Sequence, residues 1–361
     1  MAIRLDGCKG FALFVCFTCL PGCTSPEWLA QAQVPLESLE RGFLKGVNLP
    51  WNHYGDFGLH PWWGRMYDPN KFSYFFKEAR KYGVNTVRIW LFGDGRTSPE
   101  WQSEGEVCGL DESFFPDVDD MLGKAQEQGI GVIFVLWDFM AFNDHRPDAG
   151  PQAGMHGPMF WDYDQTTHYL NRALIPLVQR YQDNPALLAW EIMNEPEWAM
   201  QVEGGGSAAQ TINEWSMRRF VARNAIAIHQ HGGGKPVTLG SASWKYNSDL
   251  DWRTNYWSDD QLMSTVDWDS RAFLDFYQVH YYDWMHPHSD PFYYPKDFFR
   301  IGGKAVLIGE ASPKTSYYSP DSMLQKGWQG GYGGVLFWSY SANDGFGNWQ
   351  DFRDALWRFN P

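Results

Sequence analysis

Cysteine is scarce in this 361-residue sequence, and beyond residue 23 it occurs once. Four of the five cysteines stand within the first 23 residues, and Cys108 is the fifth. Because a single thiol cannot form an internal disulfide, the domain must be held together by its hydrophobic core.

Positive charge and long apolar runs are also in short supply. The sequence has 29 lysines and arginines against 43 aspartates and glutamates, a formal net charge of -14. This balance argues against nucleic acids and acidic surfaces as partners, whereas an uncharged substrate would not be repelled. The apolar run at residues 11–17 is too short to span a bilayer.

Residues 1–22 have the pattern of a secretory signal peptide. Arg4 and Lys9 precede the apolar run, as basic residues do at the start of such a signal. Leu20-Pro21-Gly22-Cys23 resembles a bacterial lipobox, in which Cys23 would be acylated and become the mature N-terminus. Ala30-Gln31-Ala32 is a rival cleavage site that would release a soluble protein. We therefore expect an exported protein, either an outer-membrane or cell-surface lipoprotein or a secreted or periplasmic one, with residues 23–41 as a tether.

From residue 42 onward, apolar segments of strand length alternate with amphipathic helical segments. Phe72, Phe75, Phe76 and Ala79, for example, recur on one helical face before Gly83. No repeat, low-complexity tract or Pro/Ser linker divides this part, so it predicts one domain over residues 42–361. Eight strands separated by helices is the count of an α/β fold of the (β/α)8 TIM barrel type, here with extended βα loops. The strands are predicted at about residues 43–49, 84–91, 130–137, 187–194, 236–241, 273–280, 305–310 and 333–339.

Two of these strands end in a glutamate. Glu195 follows the apolar run of strand 4 and precedes Pro196, which disfavours a helical continuation. Glu310 ends the apolar run Ala305-Val306-Leu307-Ile308-Gly309. A carboxylate at the open end of a buried strand is costly unless it has a partner or a task. A retaining glycosidase needs two such groups, one as acid and then base and the other as nucleophile.

Asn194-Glu195-Pro196 and Gly309-Glu310 resemble the signatures of strands 4 and 7 in the clan A glycoside hydrolases, and those of family 5 most closely. The resemblance implies that Glu195 is the acid/base and Glu310 the nucleophile, without a metal or an organic cofactor. It also implies that Arg88, on strand 2, keeps the nucleophile ionised. Asn194 would hydrogen-bond the 2-OH of the sugar.

Further strand tips extend the resemblance. His280-Tyr281-Tyr282 matches a His-x-Tyr feature of family 5, which would place His280 on the acid/base side and Tyr282 near the nucleophile. Trp338 resembles the tryptophan that forms the floor beneath the sugar next to the scissile bond. We interpret Glu191, inside strand 4, as a buried structural carboxylate paired with an arginine.

Aromatic and polar residues crowd the tips of the first three strands. Flat rings pack well against the apolar C–H faces of pyranoses, so we expect a stacking platform that includes Trp62-Trp63 and substrate contacts from Trp51, Trp90 and Trp137. The loop at residues 139–164 matches no metal-site spacing, and we interpret its polar side chains as ordinary loop residues: His145, Asp148, His156 and Asp162.

The sugar specificity rests on two features of the same resemblance. Arg88-Ile89-Trp90-Leu91-Phe92 resembles the Arg-x-Trp-x-Phe tract of family 5 mannanases, and strand 3 lacks the histidine that ends it in many family 5 cellulases. We therefore expect a monomeric endo-β-1,4-mannanase acting on a β-linked polysaccharide. An endo-β-1,4-glucanase and an exo-β-mannosidase are alternatives within the family. A non-catalytic, glycan-binding surface lipoprotein is the alternative from another class.

Overall fold

The structure, a computed structural model, describes residues 42–103, 105–146, 148–250 and 253–361. The signal peptide predicted at residues 1–22 and the tether predicted at 23–41, with the candidate lipid site Cys23, lie outside the described residues. None of the described helices is long and apolar enough to cross a membrane.

Eight parallel strands close into a barrel, which confirms the predicted fold. Each strand pairs with the next along the chain, and the last pairs with the first. The barrel strands are, in chain order, β1 (Leu44–Leu49), β2 (Thr86–Gly93), β3 (Gly131–Asp138), β4 (Leu187–Asn194), β5 (Val237–Ser241), β6 (Tyr277–Tyr281), β7 (Val306–Ala311) and β8 (Gly334–Phe337).

All eight predicted strand positions are confirmed, with one clear difference at the start of β6. The strand begins at Tyr277, four residues later than predicted. The carboxylate of Asp275 accepts the backbone N–H of Val237 and lies 3.0 Å from Nε2 of His229. Asp275 is therefore bonded to the helix that contains His229 and to β5, and the regular strand begins two residues after it.

Helices cover the outside of the barrel. α1 begins at the N-cap Asp68, whose side chain accepts from the backbone of Asn70 and Lys71, and it buries the predicted phenylalanine face against the strands. The helices are α1 (Pro69–Lys81), α2 (Phe114–Glu127), α3 (Gly157–Trp161), α4 (Tyr163–Tyr169), α5 (Ile175–Tyr181), α6 (Glu214–His231), α7 (Asp259–Met263), α8 (Pro320–Gln329) and α9 (Trp349–Arg358).

The loops after β1 and β2 each contain a short β-hairpin. The first pairs Leu59–His60 with Gly64–Arg65, and the second pairs Glu100–Ser103 with Glu106–Gly109. Both precede the helix that follows their strand, so they lie in the βα loops, on the side of the barrel where the strands end. They account for part of the loop extension that the sequence predicts.

The barrel interior is layered. One apolar cluster lies toward the start of the strands, and it comprises Leu44, Ile133, Ala189, Phe276, Leu307 and Leu336. A second lies toward their ends, and it comprises Trp90, Val135, Trp338 and Ala342. Between the two clusters the fully buried Arg88 and Glu191 form an ion pair. A buried charged layer therefore lies below the carboxyl ends of the strands, and Arg88 connects it to Glu310 in the candidate site.

The inward and outward alternation of side chains shifts near the tips of β3 and β4. Glu191 and Asn194 are three positions apart, yet both hydrogen-bond Arg88 inside the barrel. On β3, Val135 lies in the interior cluster and Asp138 hydrogen-bonds Asn194. Strict alternation would have put these pairs on opposite faces.

The shift turns Trp137 away from the barrel interior, so the predicted substrate contact at Trp137 is wrong. Its side chain is fully buried among Phe92, Trp101, Phe160 and Tyr169. Trp137 is a core residue between the barrel and its outer elements.

Candidate active site

Glu195 and Glu310 face each other at the carboxyl end of the barrel. One carboxylate oxygen of each, together with Nδ1 of His280, lies within 4.8 Å of the others. The side chain of Glu195 is 12% exposed and that of Glu310 is 3% exposed. The predicted pairing of the two strand-end glutamates across one site is confirmed.

Glu195 is held by three hydrogen bonds. Its backbone N–H donates to the carbonyl of Gly240 at 2.7 Å, and the residue has left-handed backbone angles of φ 44° and ψ 51°. Nδ1 of His280 lies 2.7 Å from Oε1, and the indole N–H of Trp198 donates to Oε2 at 2.7 Å. Few non-glycine residues adopt this backbone conformation, and those that do cluster at functional sites.

Burial raises the pKa of Glu195 to about 7, although Trp198 and Arg88 oppose the shift. Burial also lowers the pKa of His280 to about 4, so its imidazole is neutral at pH 7. We assign the ring proton to Nδ1, because Nε2 has no hydrogen-bond partner among the described residues and a buried lone pair costs less than a buried N–H. The neutral ring then donates to Glu195.

Glu310 has a different environment. Nη1 of Arg88 donates to Oε1 at 2.7 Å, and the hydroxyl of Tyr282 donates to Oε2 at 2.6 Å. Burial raises the pKa of Glu310, while the charge of Arg88 and the Tyr282 hydroxyl oppose that rise. The one carboxyl thus has an arginine hydrogen-bonded to it, and the other has neutral donors only.

Arg88 organises the floor of the site. Its guanidinium donates to Glu191 at 2.7 and 2.5 Å, to Asn48 at 2.9 Å, to Asn194 at 2.6 Å and to Glu310. The predicted structural role of Glu191, as a buried carboxylate paired with an arginine, is confirmed.

Arg88 and His280 are both fully buried beneath the carboxylates. Neither side chain is exposed, so each acts on a bound sugar through the carboxylate that it contacts. Their predicted contacts, Arg88 with Glu310 and His280 with Glu195, are present.

Gly240 allows this packing. A Cβ at this position would overlap Oε1 of Glu191 and lie 3.0 Å from Nη2 of Arg88. Any larger residue would push into the ion pair.

The side-chain amide of Asn194 is oriented by a donor on one side and an acceptor on the other. Its Oδ1 accepts from Arg88, and its Nδ2 donates to Oδ2 of Asp138 at 2.7 Å. Burial raises the pKa of Asp138 to about 8. Asp138 is a site residue that the sequence reasoning missed, although its place at the tip of β3 was a signal.

Tryptophans line one side of the site. Trp338 lies 6.0 Å from Trp90 and 6.5 Å from Trp51 between ring centroids, and its indole N–H donates to Asp344 at 2.6 Å. Trp51 stacks 4.0 Å from Tyr54. The structure thus brings together the three predicted residues Trp51, Trp90 and Trp338.

A second aromatic group lies on the Glu195 side. Trp198 is partly exposed, and its ring centroid lies 6.1 Å from that of Trp284, which is exposed. The sequence reasoning missed both residues. The position of Trp198 three residues after Glu195 was an available signal.

Two of the polar residues in the 139–164 loop have structural contacts. His156 is buried and stacks on Trp101 at 3.7 Å, and Asp162 caps α4 through the backbone of Asp164 and Gln165. In the described part of the chain, the group of three or more side chains placed to hold a metal ion is Glu195, His280 and Glu310. Arg88 lies within hydrogen-bond distance of that group, and its positive charge disfavours a cation there.

Comparisons with known proteins agree with this site. A family model described as cellulase (glycosyl hydrolase family 5) matches residues 44–329. The chain is 30% identical over 319 residues to the mannan endo-1,4-beta-mannosidase of Mytilus edulis, a match that covers 82% of this chain and 83% of that protein.

Solved structures give the same result. The X-ray structure of the beta-mannanase from Mytilus edulis matches with a TM-score of 0.77 at 28% identity, covering 88% of this chain and 91% of that one. The beta-1,4-D-mannanase from Cryptopygus antarcticus matches with a TM-score of 0.78 at 25% identity, covering 89% and 91%. Fold, site and relatives together define a glycoside hydrolase. The chain belongs to glycosyl hydrolase family 5.

Proposed function

We propose that the chain is a retaining endo-β-1,4-mannanase, with Glu310 as nucleophile and Glu195 as acid/base. The observation that carries the proposal is the pair of carboxylates, whose oxygens lie within 4.8 Å in two different electrostatic environments. Retaining enzymes hold their carboxyl groups about 5–5.5 Å apart, whereas inverting enzymes leave about 6.5–9.5 Å for a water molecule.

In the first step, Oε of Glu310 bonds to the anomeric carbon as the glycosidic bond breaks. Glu195, protonated below pH 7, gives its proton to the departing oxygen. Arg88 and Tyr282 stabilise the ionised form of Glu310 before the attack. A covalent glycosyl-enzyme and a shortened polysaccharide with a new hydroxyl result.

In the second step, the ionised Glu195 takes a proton from water as that water attacks the same carbon. The bond to Glu310 breaks, and the sugar leaves with its original β configuration. Asn194 has one amide N–H left after its bond to Asp138, and we propose that this N–H reaches the sugar 2-OH.

Two observations support β-mannan as the substrate. The relatives from Mytilus edulis and Cryptopygus antarcticus are named mannan endo-1,4-beta-mannosidases. The indoles of Trp51, Trp90 and Trp338 form an aromatic cluster near the ends of the strands, and aromatic ring faces pack well against neutral pyranose rings. The names of these relatives also support an endo mode of attack.

A hydrolysis screen tests the proposal. The purified protein is incubated with mannan, glucomannan, cellulose, xylan and galactan, and the reducing ends and product lengths are recorded. We expect internal cleavage of mannan and glucomannan by the wild type, and a loss of at least about 10³-fold in Glu310→Gln. Cleavage of cellulose in preference to mannan would favour the glucanase, and release of single mannose units would favour the exo-mannosidase. Mannan binding without hydrolysis would favour the glycan-binding protein.

We also propose that the chain is exported, carries a lipid on Cys23 and acts as a monomer. The supporting features are the basic and apolar pattern of residues 1–22 and the lipobox-like Leu20-Pro21-Gly22-Cys23. Labelling of expressing cells with a radioactive fatty acid should mark the wild type and not Cys23→Ser. A soluble, unlabelled wild-type product cleaved near residue 32 would favour free secretion. Light scattering of the soluble domain should give the mass of one chain.

A further inference from the structure

The short turn that follows Glu195 carries an indole directly onto the acid/base carboxyl. Residues Pro196–Trp198 form a single 3-10 turn, with Glu195 in the left-handed conformation before it. This conformation folds the chain back, so that Nε1 of Trp198 lies 2.7 Å from Oε2 of Glu195. Nδ1 of His280 contacts the other oxygen of this carboxyl, Oε1.

A buried carboxylate anchors the turn. Glu197 is fully buried, and its Oε1 accepts from the hydroxyl of Ser241 at 2.7 Å and the indole of Trp257 at 2.9 Å. Its Oε2 accepts the backbone N–H of Ala242 at 3.1 Å. Ser241 ends β5, so these bonds fix the turn to the neighbouring strand. Glu197 has no chemical step in the proposed reaction. Burying a carboxylate is unfavourable unless it is paired or has a function, so the role of Glu197 is to be sought in the turn itself.

We propose that Trp198 is a positioning residue for the acid/base, whose indole N–H holds Oε2 of Glu195 in both proton transfers, and that Glu197 fixes the turn that presents it. The proposal rests on the proposed role of Glu195. A donor to a carboxylate stabilises the ionised form more than the protonated form. The indole therefore eases proton release to the leaving group in the first step and keeps Glu195 ionised to receive the proton from water in the second.

The other charged and titratable groups around Glu195 come from five strands. They are Arg88 on β2, Asp138 on β3, Glu191 on β4, and His280 with the adjoining Tyr282 on β6, together with Glu310 on β7. A Trp198→Phe substitution leaves all of them in place. It also keeps a ring opposite Trp284, so the indole N–H is the group removed.

The test is the pH profile of kcat/KM on mannan for the wild type and Trp198→Phe. We expect the alkaline limb of Trp198→Phe to move to higher pH by about half a unit or more, because the carboxyl loses a donor. Trp328→Phe, at an exposed position on α8, is the matched control and should keep the wild-type profile. An alkaline limb of Trp198→Phe that coincides with the wild-type limb would overturn the proposal.

Glu197→Gln tests the anchor. The NH2 group of a glutamine side chain at position 197 would face the N–H of Ala242 or the hydroxyl of Ser241, and this contact between two donors should loosen the turn. We therefore expect the alkaline limb to move in the same direction as in Trp198→Phe. In the Trp198→Phe background, Glu197→Gln should add no further shift. An equal further shift would show that Glu197 does not act through Trp198. If Glu197→Gln does not fold, Ser241→Ala, which removes one donor, takes its place in the same comparison.

Failure of this inference is separable from failure of the proposed function. If Glu195→Gln is inactive on mannan while the Trp198→Phe profile is unchanged, only the role of Trp198 is wrong. If Glu195→Gln keeps wild-type activity, the acid/base assignment itself is wrong, whatever the Trp198 variant does.

Discussion

Arg88 is the cation that two buried carboxylates share, and its removal gives the sharpest prediction for stability and activity together. The side chains of Arg88, Glu191 and Glu310 are 0%, 0% and 3% exposed. Breaking a buried ion pair by removing one partner costs about 3–5 kcal/mol, because the other charge stays buried without compensation. We expect Arg88→Met to lose at least that much, out of a typical total stability of about 5–15 kcal/mol.

The same substitution should impair Glu310. A neighbouring arginine lowers the pKa of a carboxyl by about 1–3 units, so its loss should raise the pKa of Glu310 by a similar amount. At an acidic working pH the ionised fraction then falls about 10- to 1,000-fold, and kcat/KM falls with it.

A double variant separates the two effects. Arg88→Met with Glu191→Gln removes the unpaired charge of Glu191, so it should recover at least about 1 kcal/mol of stability but none of the activity. Urea unfolding with an unchanged m-value gives the stability difference, and initial rates on mannan give kcat/KM. An Arg88→Met protein within about 1 kcal/mol of the wild type, or a double variant with restored activity, would refute the reasoning.

Three further predictions follow from the described contacts. Because burial raises the pKa of Glu195 to about 7, kcat/KM on mannan should fall as the pH rises through about 7, and a flat profile up to pH 9 would contradict the assignment. Burial raises the pKa of Asp138 to about 8, so the folded state binds a proton there more tightly than the unfolded state and loses that stability as the pH rises through about 8. Asp138→Asn should therefore gain in melting temperature relative to the wild type between pH 5 and pH 9, and a difference that does not change with pH would count against it. Gly240→Ala should lose about 1–3 kcal/mol in urea unfolding by crowding Glu191. Gly123→Ala is the matched control, because Gly123 also lacks a positive φ but has open space where the Cβ would go, and it should lose no stability.

Much of the fold could be predicted from the sequence, because the eight strands are buried on both faces. Their apolar runs are continuous and stand out between amphipathic helices, so the predicted end of β4 was correct and that of β7 was one residue early. Glu195 and Glu310 were predictable as a pair since both end such runs.

The details that failed depend on contacts that no periodic pattern encodes. Strict alternation along β3 would keep Trp137 on the inner face, but the shift near the tip turns it outward and brings Asp138 in. The full burial of Arg88 and His280 beneath the two glutamates also depends on how the strand tips pack.

Trp198 and Glu197 were missed for a related reason. Their roles depend on the left-handed backbone of Glu195, and a proline in the next position predicts an extended residue there. The fold-back that puts the indole on the carboxyl is set by the bond from Glu195 to Gly240, which joins two distant segments of the chain.

The central claim is that Glu310 bonds to the sugar while Glu195 moves the proton. Mass spectrometry of the protein after treatment with an activated 2-deoxy-2-fluoro-β-mannoside measures this most directly, because the fluorine slows the second step and the covalent intermediate accumulates. We predict one added sugar on the intact protein, located on the peptide that contains Glu310 and formed also by Glu195→Ala. A label on Glu195, or an unlabelled protein that still hydrolyses mannan, would contradict the account.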